Sequence, residues 1–391
     1  RQALALGALG LGAGGLGAVG LVLRSSVDSV APVDSVPTAG SVPPAGSGPP
    51  AGIGPSEEAF TLAPARTEAG DFVLCRLSRS GRVEFELPLP GRAHGVVRRP
   101  ASRHAIVFAR RPGRFALVID RQTGRVLHTF EPPADRHFYG HGVFTRSGDT
   151  LFVTENAFEE RDGRVGVYDA RDRYRRLGEF ASGGIGPHDI DFLSDGRTLV
   201  IANGGIATHP DLPRRKLNIE TMAPSLAFFS DRGRLAEAPK RLGEDRHKLS
   251  IRHLTVLPDG RVAAALQNED KSRPSDPLVF VSAPGAAPAF LPSSTWHRMR
   301  GYCGDIAADR SGRFIAASSP RGGVAFIWDQ ASGRMQTIPM PDGCGLLAGP
   351  VPGQFVLSAG TGVVATIDAQ SGVMVPNRFH EATFAWDNHL G

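Results

Sequence analysis

The sequence predicts an all-β chain: a seven-bladed β-propeller closed by both termini, preceded by an export signal and a linker rich in Pro, Ser, Gly and Ala. Three observations carry this. Glycine (48) and proline (31) make up about a fifth of the 391 residues, an excess of turn formers that disfavours a helical bundle. A hairpin pattern recurs along the chain, and each recurrence is preceded by one histidine or cysteine.

Residues 1–24 read as a signal peptide, with a retained anchor as the alternative. Positions 3–23 carry no charge and lie between Arg1 and Arg24, but seven glycines hold down their hydrophobicity, as in export signals, twin-arginine ones included. Residues 25–57 repeat small residues and prolines with almost no large apolar group, and they read as a disordered linker. The propeller is expected over 58–391. Its location is expected to be the periplasm, with no membrane contact beyond the N-terminal segment.

From residue 60 onward, short turns recur: SerGlyAsp at 147–149, AspGlyArg at 195–197 and 259–261, and SerGlyArg at 311–313. Runs of alternating apolar residues flank each turn, the period-two pattern of strands. A third run ends in an Asp-led turn at Asp120, Asp169, Asp329 and Asp368, and a more polar fourth run follows. Four strands repeated about every 45 residues are the signature of a propeller blade. First strands are expected near 94, 141, 188, 253, 303 and 344. Residues 60–89 supply three more strands, and 382–390 supply the strand that completes a seventh blade. Six or eight blades are the alternatives. The unit beginning near 188 is the longest, and its extra length around 203–222 reads as a loop over one face.

The residues that open the units are His94, His141, His188, His253, Cys303, Cys344 and His389. Their spacings of 47, 47, 65, 50, 41 and 45 follow the blade period, so they are expected at one repeat position around one mouth of the channel. Imidazoles and thiols in a ring suit a transition metal: iron or copper, with zinc as a further candidate, rather than calcium or magnesium. A polar ring without metal and a Cys303–Cys344 disulfide are the competing readings. Cys75, in an apolar run, reads as a core thiol. Glu155, Asn156, Asp189, Asn203 and Gln267 are candidate supporting residues behind the ring. Asp189 and Asp191 flank Ile190 as one carboxylate pair.

Other chemistries are disfavoured. Net charge is +5, only four of the 44 cations are lysine, and no basic run with interleaved aromatics occurs, which argues against nucleic acid. No GxSxG elbow, Walker loop, HExxH pair or dinucleotide fingerprint is present.

HFYGHGVFT, TEN, GGIGPHDI, LVIANGGIATHPD, SLAFF, LSIRHL, SSPRGG and the terminal WDNHL resemble the bacterial domain-of-unknown-function family 1513 from about residue 60 to the end. The resemblance implies an exported protein with a propeller body, often encoded near imelysin-type iron-uptake proteins. Periplasmic metal-uptake proteins are therefore candidate partners. His94, His141, His188, His253, His389 and Cys344 fit the family pattern. Cys303 departs from it, because valine is expected there, and the departure favours a His-dominated site. The leading expectation is a periplasmic metal-handling propeller. A metal-dependent redox enzyme or hydrolase using the same channel is the alternative, as is a metal-free interaction scaffold. Calcium-dependent propeller hydrolases use mainly carboxylate and Asn ligands, which a histidine ring does not match.

Overall fold

The computed structural model describes residues 60–78, 82–212, 215–376 and 384–391. The expected signal peptide and linker lie outside the described residues. Within them the chain forms seven four-stranded antiparallel sheets. No α-helix occurs among the described residues, only three short 3-10 turns. No helix among them is long and apolar enough to cross a membrane.

The blades are numbered here by their innermost strands. These are Ala93–Arg98, Arg136–Phe144, Pro187–Phe192, Leu249–Val256, Ile306–Ala308, Gly343–Ala348 and Ala385–Trp386. The expected starting points hold within a few residues. Blades 2 and 4 begin earlier, and blade 5 begins later, because Cys303 and Gly304 lead into its strand rather than belonging to it.

Alternation dictates the packing. In blade 1 the second strand His104–Ala109 is buried from Ala105 onward, and Val262–Leu266 of blade 4 is buried throughout. Side chains from both faces of these strands meet the neighbouring blades. Phe108, Phe138, Phe228, Phe280, Phe326 and Phe355 fill the space between sheets, each contributing about 1.5–3 kcal/mol by its burial.

Blade 7 joins the two ends of the chain, as the sequence implies. Ala385–Trp386 pairs with Phe60–Arg66, which continues to Phe72–Ser78 and Val83–Pro88. Gly391 and Leu62 exchange both backbone hydrogen bonds, at 2.7 and 2.8 Å, and the Asp387 amide donates to Pro64 O at 2.9 Å. Phe384, Trp386 and Leu390 are buried with Ala63, Val73 and Cys75. The ring therefore presents no open strand edge at this seam. Cys75 is fully buried there, and burial, with Glu86 nearby, pushes its thiol up to about 12.

The extra segment of blade 3 follows Asn203 and precedes Ser225–Ser230. It folds back on itself, with the Asn218 side chain bonding the amide of Ala207 and the carbonyl of Gly205. Its Thr208 meets Tyr139 and Asn156, and its Lys216 reaches the channel mouth.

Candidate metal centre in the channel

Five imidazoles meet on the propeller axis. Ring centroids lie 4.6 Å apart for His94–His389, 4.8 Å for His94–His141, 4.5 Å for His188–His253 and 4.4 Å for His253–His389. The widest separation recorded between them is 6.1 Å, for His94–His253. His94, His188, His253 and His389 are buried, and His141 is nearly so.

They do not share one repeat position. The first hairpin of a blade closes through the amide of Arg99, Thr145, Leu193, Leu257 or Asp309. His94 and His188 stand five residues before that amide; His141, His253 and Asp305 stand four before it. The cause lies in the strand. In five blades the innermost strand shifts register at this level: Ala93 to Val96, Phe138 to Gly142, Pro187 to Asp189, Ile251 to Leu254, and Gly343 to Leu346. Such an irregularity re-aims side chains, so two successive residues can both address the axis. The result is two tiers of groups rather than one ring.

Glycine makes room where the tiers meet. Gly140 holds a left-handed φ of 103°, and a Cβ there would lie 2.6 Å from His94 Cβ. A Cβ on Gly95 would lie 2.4 Å from Gly140 O. Neither position tolerates a side chain without moving His94 or His141.

Two carboxylates orient the second tier. His141 Nδ1 lies 3.2 Å from Asp189 Oδ1, and His389 Nδ1 lies 3.1 Å from Asp305 Oδ2. Each Asp also accepts an amide from the next blade: Leu254 N to Asp189 at 3.0 Å and Leu346 N to Asp305 at 2.9 Å. With Nδ1 so engaged, His141 Nε2 and His389 Nε2 are buried without a partner, as are Nδ1 of His94, His188 and His253. Nε2 of His188 and Nε2 of His253 are 3.2 Å apart.

Electrostatics keeps most of these rings neutral. Burial first, then the neighbouring imidazoles, hold His94, His188 and His253 well below the usual histidine range. Burial would lower His389, but Asp305, with Asp189 and Asp387 beyond it, raises it on balance. Burial would raise Asp189, but His141 and the amides of Leu254 and Ile190 keep it low. Asp191 has no histidine partner and accepts only the Phe192 amide; burial and the charge of Asp189 push it up to about 7.

Two groups of three have ligand atoms within 4.8 Å of one another: His94, His141 and His188, and His141, His253 and His389. Imidazole nitrogens bound at about 2.0–2.2 Å to one ion lie roughly 3–4 Å apart, so a small closure of the rings accommodates a metal. The orphaned ring nitrogens and the carboxylate-anchored histidines fit such an ion.

The cysteines stand apart from this cluster. Cys303 belongs to the apolar core of blades 4 and 5, and its thiol donates to Leu278 O at 3.5 Å. Burial pushes it up to about 12, so it stays a thiol and is a poor ligand. Cys344 packs against Gly304, and burial, then Asp305, hold its thiol well above the usual range. Neither forms a disulfide, and neither joins the metal-capable groups.

Of the expected supporting residues, Asp189 takes that place, and Gln267 lines the adjoining cavity, with Nε2 donating to Cys303 O at 3.2 Å. Glu155, Asn156 and Asn203 are spent elsewhere. Glu155 accepts the Tyr168 hydroxyl and Arg176 at 2.5 and 2.7 Å. It sits where Gly166 leaves no Cβ in its way. Asn156 bonds His137 Nε2 at 2.9 Å, and Asn203 bonds Ser182 and Ser225. The end of a second strand lies one layer out from the axis, where these side chains tie blades and loops together.

Sequence reasoning missed Asp305 and Arg252. A signal for the first was present: AspIle at 305–306 repeats AspIle at 189–190, each four residues before its hairpin.

Two cavities adjoin the histidines. One, of about 180 Å³, is lined by His94, His188 and His253 with Arg110, Arg111, Arg252, Arg321 and Lys216. The other, of about 270 Å³, holds His141, His389, Asp189, Asp191 and Asp305.

The model of the family described as a protein of unknown function, DUF1513, matches residues 87–391. Among solved structures the hydrazine synthase of Kuenenia stuttgartiensis is similar, with a TM-score of 0.55 and 15% identity over 80% of this chain and 90% of that one. At that identity the likeness is one of fold alone. Among curated proteins none matches the chain.

Proposed function

The chain belongs to the DUF1513 family, and on that premise we propose that it is a periplasmic propeller that binds a transition metal, iron or copper, in its channel and serves in metal uptake or handling. One observation carries the reading: five imidazoles converge on the axis with a buried, unpartnered nitrogen on each. Burying that many polar atoms without partners costs roughly 1–3 kcal/mol apiece, a cost that metal coordination removes.

His94, His141, His188, His253 and His389 would hold the ion. Neutral imidazole suits iron, copper and zinc, whereas calcium and magnesium require oxygen ligands. Two overlapping groups that share His141 allow three or four ligands on one ion, or two ions. Asp189 and Asp305 fix the tautomer by accepting Nδ1–H, which turns Nε2 of His141 and His389 toward the ion. The compartment rests on the uncharged run at 3–23 and the linker behind it.

A metal-dependent redox or hydrolytic enzyme is the second reading. It is supported by the 180 Å³ cavity that shares His94, His188 and His253 and is large enough for a small substrate.

Protein purified from its native compartment should carry about one or two iron or copper ions per chain by elemental analysis, and a chelator should remove them. Absence of any transition metal, or calcium in its place, overturns the reading.

A further inference from the structure

We propose that the cationic cavity beside the histidines binds a small oxyanion, a carboxylate or a phosphate, with Arg252 as its principal anchor.

Arg252 is the residue that demands an occupant. It precedes His253 and stands five residues before Leu257, the tier that His94 and His188 occupy in blades 1 and 3. It is only 6% exposed. It makes no hydrogen bond or ion pair with any described residue, and its Nε is buried without a partner. A buried guanidinium without a counter-charge is strongly unfavourable. Glu269 acts on it only through space, without a hydrogen bond, and is itself bonded to Lys216 at 2.5 Å.

The surroundings deepen the deficit. Arg110, Arg111, Lys216 and Arg321 line the same cavity, and no Asp or Glu is among its described lining residues. Asp387 lies 3.7 Å from Arg110 but is bonded to Arg92 at 2.6 and 2.7 Å, leaving Arg110 Nη1 without a hydrogen bond. Arg111 and Arg252 repel one another. The phenols of Tyr139 and Tyr302 supply neutral donors on the same wall. Converging guanidinium groups match the planar, bidentate geometry of carboxylate and phosphate oxygens. A volume near 180 Å³ admits an anion of that class. Nothing in this argument requires the metal; an anion bound here would lie beside His94, His188 and His253, within reach of an ion they hold.

The test uses chelator-treated, full-length protein in Tris chloride, titrated separately with oxalate, citrate and inorganic phosphate by calorimetry and thermal unfolding. At least one probe should bind one per chain and raise the melting temperature; carboxylates acting without phosphate, or the reverse, fix the chemistry. Arg252→Gln should raise the melting temperature of the anion-free protein, because it removes an uncompensated charge. It should also weaken binding of that probe at least 10-fold. Arg111→Gln, at a half-buried position, should weaken binding a few-fold without changing the fold. The proposal is overturned if no probe binds the parent protein. It is overturned equally if Arg252→Gln lowers the melting temperature and leaves binding intact, since Arg252 would then be a structural residue.

Discussion

The two cavities that flank the histidines are built from opposite charges and resolve those charges differently. On the carboxylate side, Asp189 is met by His141 and the Leu254 amide, and Asp305 by His389 and the amides of Ile306 and Leu346. On the cationic side no described side chain hydrogen-bonds or ion-pairs with Arg252, and Glu269 acts on it only through space. Paired carboxylates hold structure; an unpaired, buried cation waits for a ligand. The carboxylate side therefore orients the histidines, and the cationic side receives what approaches them.

The largest effect that sharpens this contrast should come from the histidines themselves. Replacing His141 and His188 together by Ala takes ligands from both tiers and touches both metal-capable groups. Stoichiometric metal should be lost, with the circular dichroism spectrum unchanged, because the blades are held by apolar packing between sheets. Retention of one ion per chain by this variant would show that the metal sits elsewhere.

Next come the orienting carboxylates. Asp305→Asn and Asp189→Asn should each weaken metal affinity by about 10–100-fold, the usual cost of losing a carboxylate behind a histidine ligand. Asp191→Asn should change it little, since Asp191 bonds only the amide of its neighbour Phe192. Competition with a chromophoric chelator measures all three. Equal effects from Asp189 and Asp191 would dissolve the distinction between orienting and merely lining carboxylates.

A smaller effect concerns acid. In the metal-free protein His94, His188 and His253 are held well below the usual histidine value, so below pH about 6.5 the unfolded chain binds protons that the folded one refuses. Stability should then fall with falling pH, by up to about 1.4 kcal/mol per pH unit for each such group. His389 acts in the opposite sense: its raised value adds stability below the ordinary range, which is lost as pH rises through the folded value. Asp191, raised to about 7, acts in the same sense as His389 over this range. Three groups outweigh these two, so melting temperatures of chelated protein should drop modestly from pH 7.5 to 5.5. A flat profile would contradict the neutral cluster.

The smallest effect should be that of Cys344→Ser. The thiol packs beside Gly304 and is no member of the histidine groups, so metal content by elemental analysis should match the parent. A loss of metal would bring that side of the channel back into the site.

Much of this was legible in the sequence, because a propeller repeats its chemistry at a fixed period. Turn residues and alternating runs mark the blades, and the terminal WDNHL supplies the closing strand and His389 together. The rest depends on offsets too small for spacing to reveal. A register shift in the innermost strand moves His141 and His253 one place from His94 and His188, and a one-residue slip changes which way a side chain faces. Cys303 matches the period yet faces the core, since its strand begins only at Ile306. Glu155 and Asn203 have residue types that suit a site, but their positions lie a layer away from the axis. Arg252 lies in an ordinary strand pattern; only its burial without a bonded counter-charge distinguishes it.

Locating the ion tests the central claim most directly. Crystals of metal-loaded protein, with anomalous diffraction recorded on either side of the iron and copper absorption edges, should show one or two peaks on the propeller axis. The peaks should lie among the ring nitrogens of His94, His141, His188, His253 and His389, at about 2.0–2.2 Å from at least three of them. A peak bound instead by Asp189, Asp191 and Asp305 without imidazole, or no peak on the axis at full metal occupancy, would contradict it.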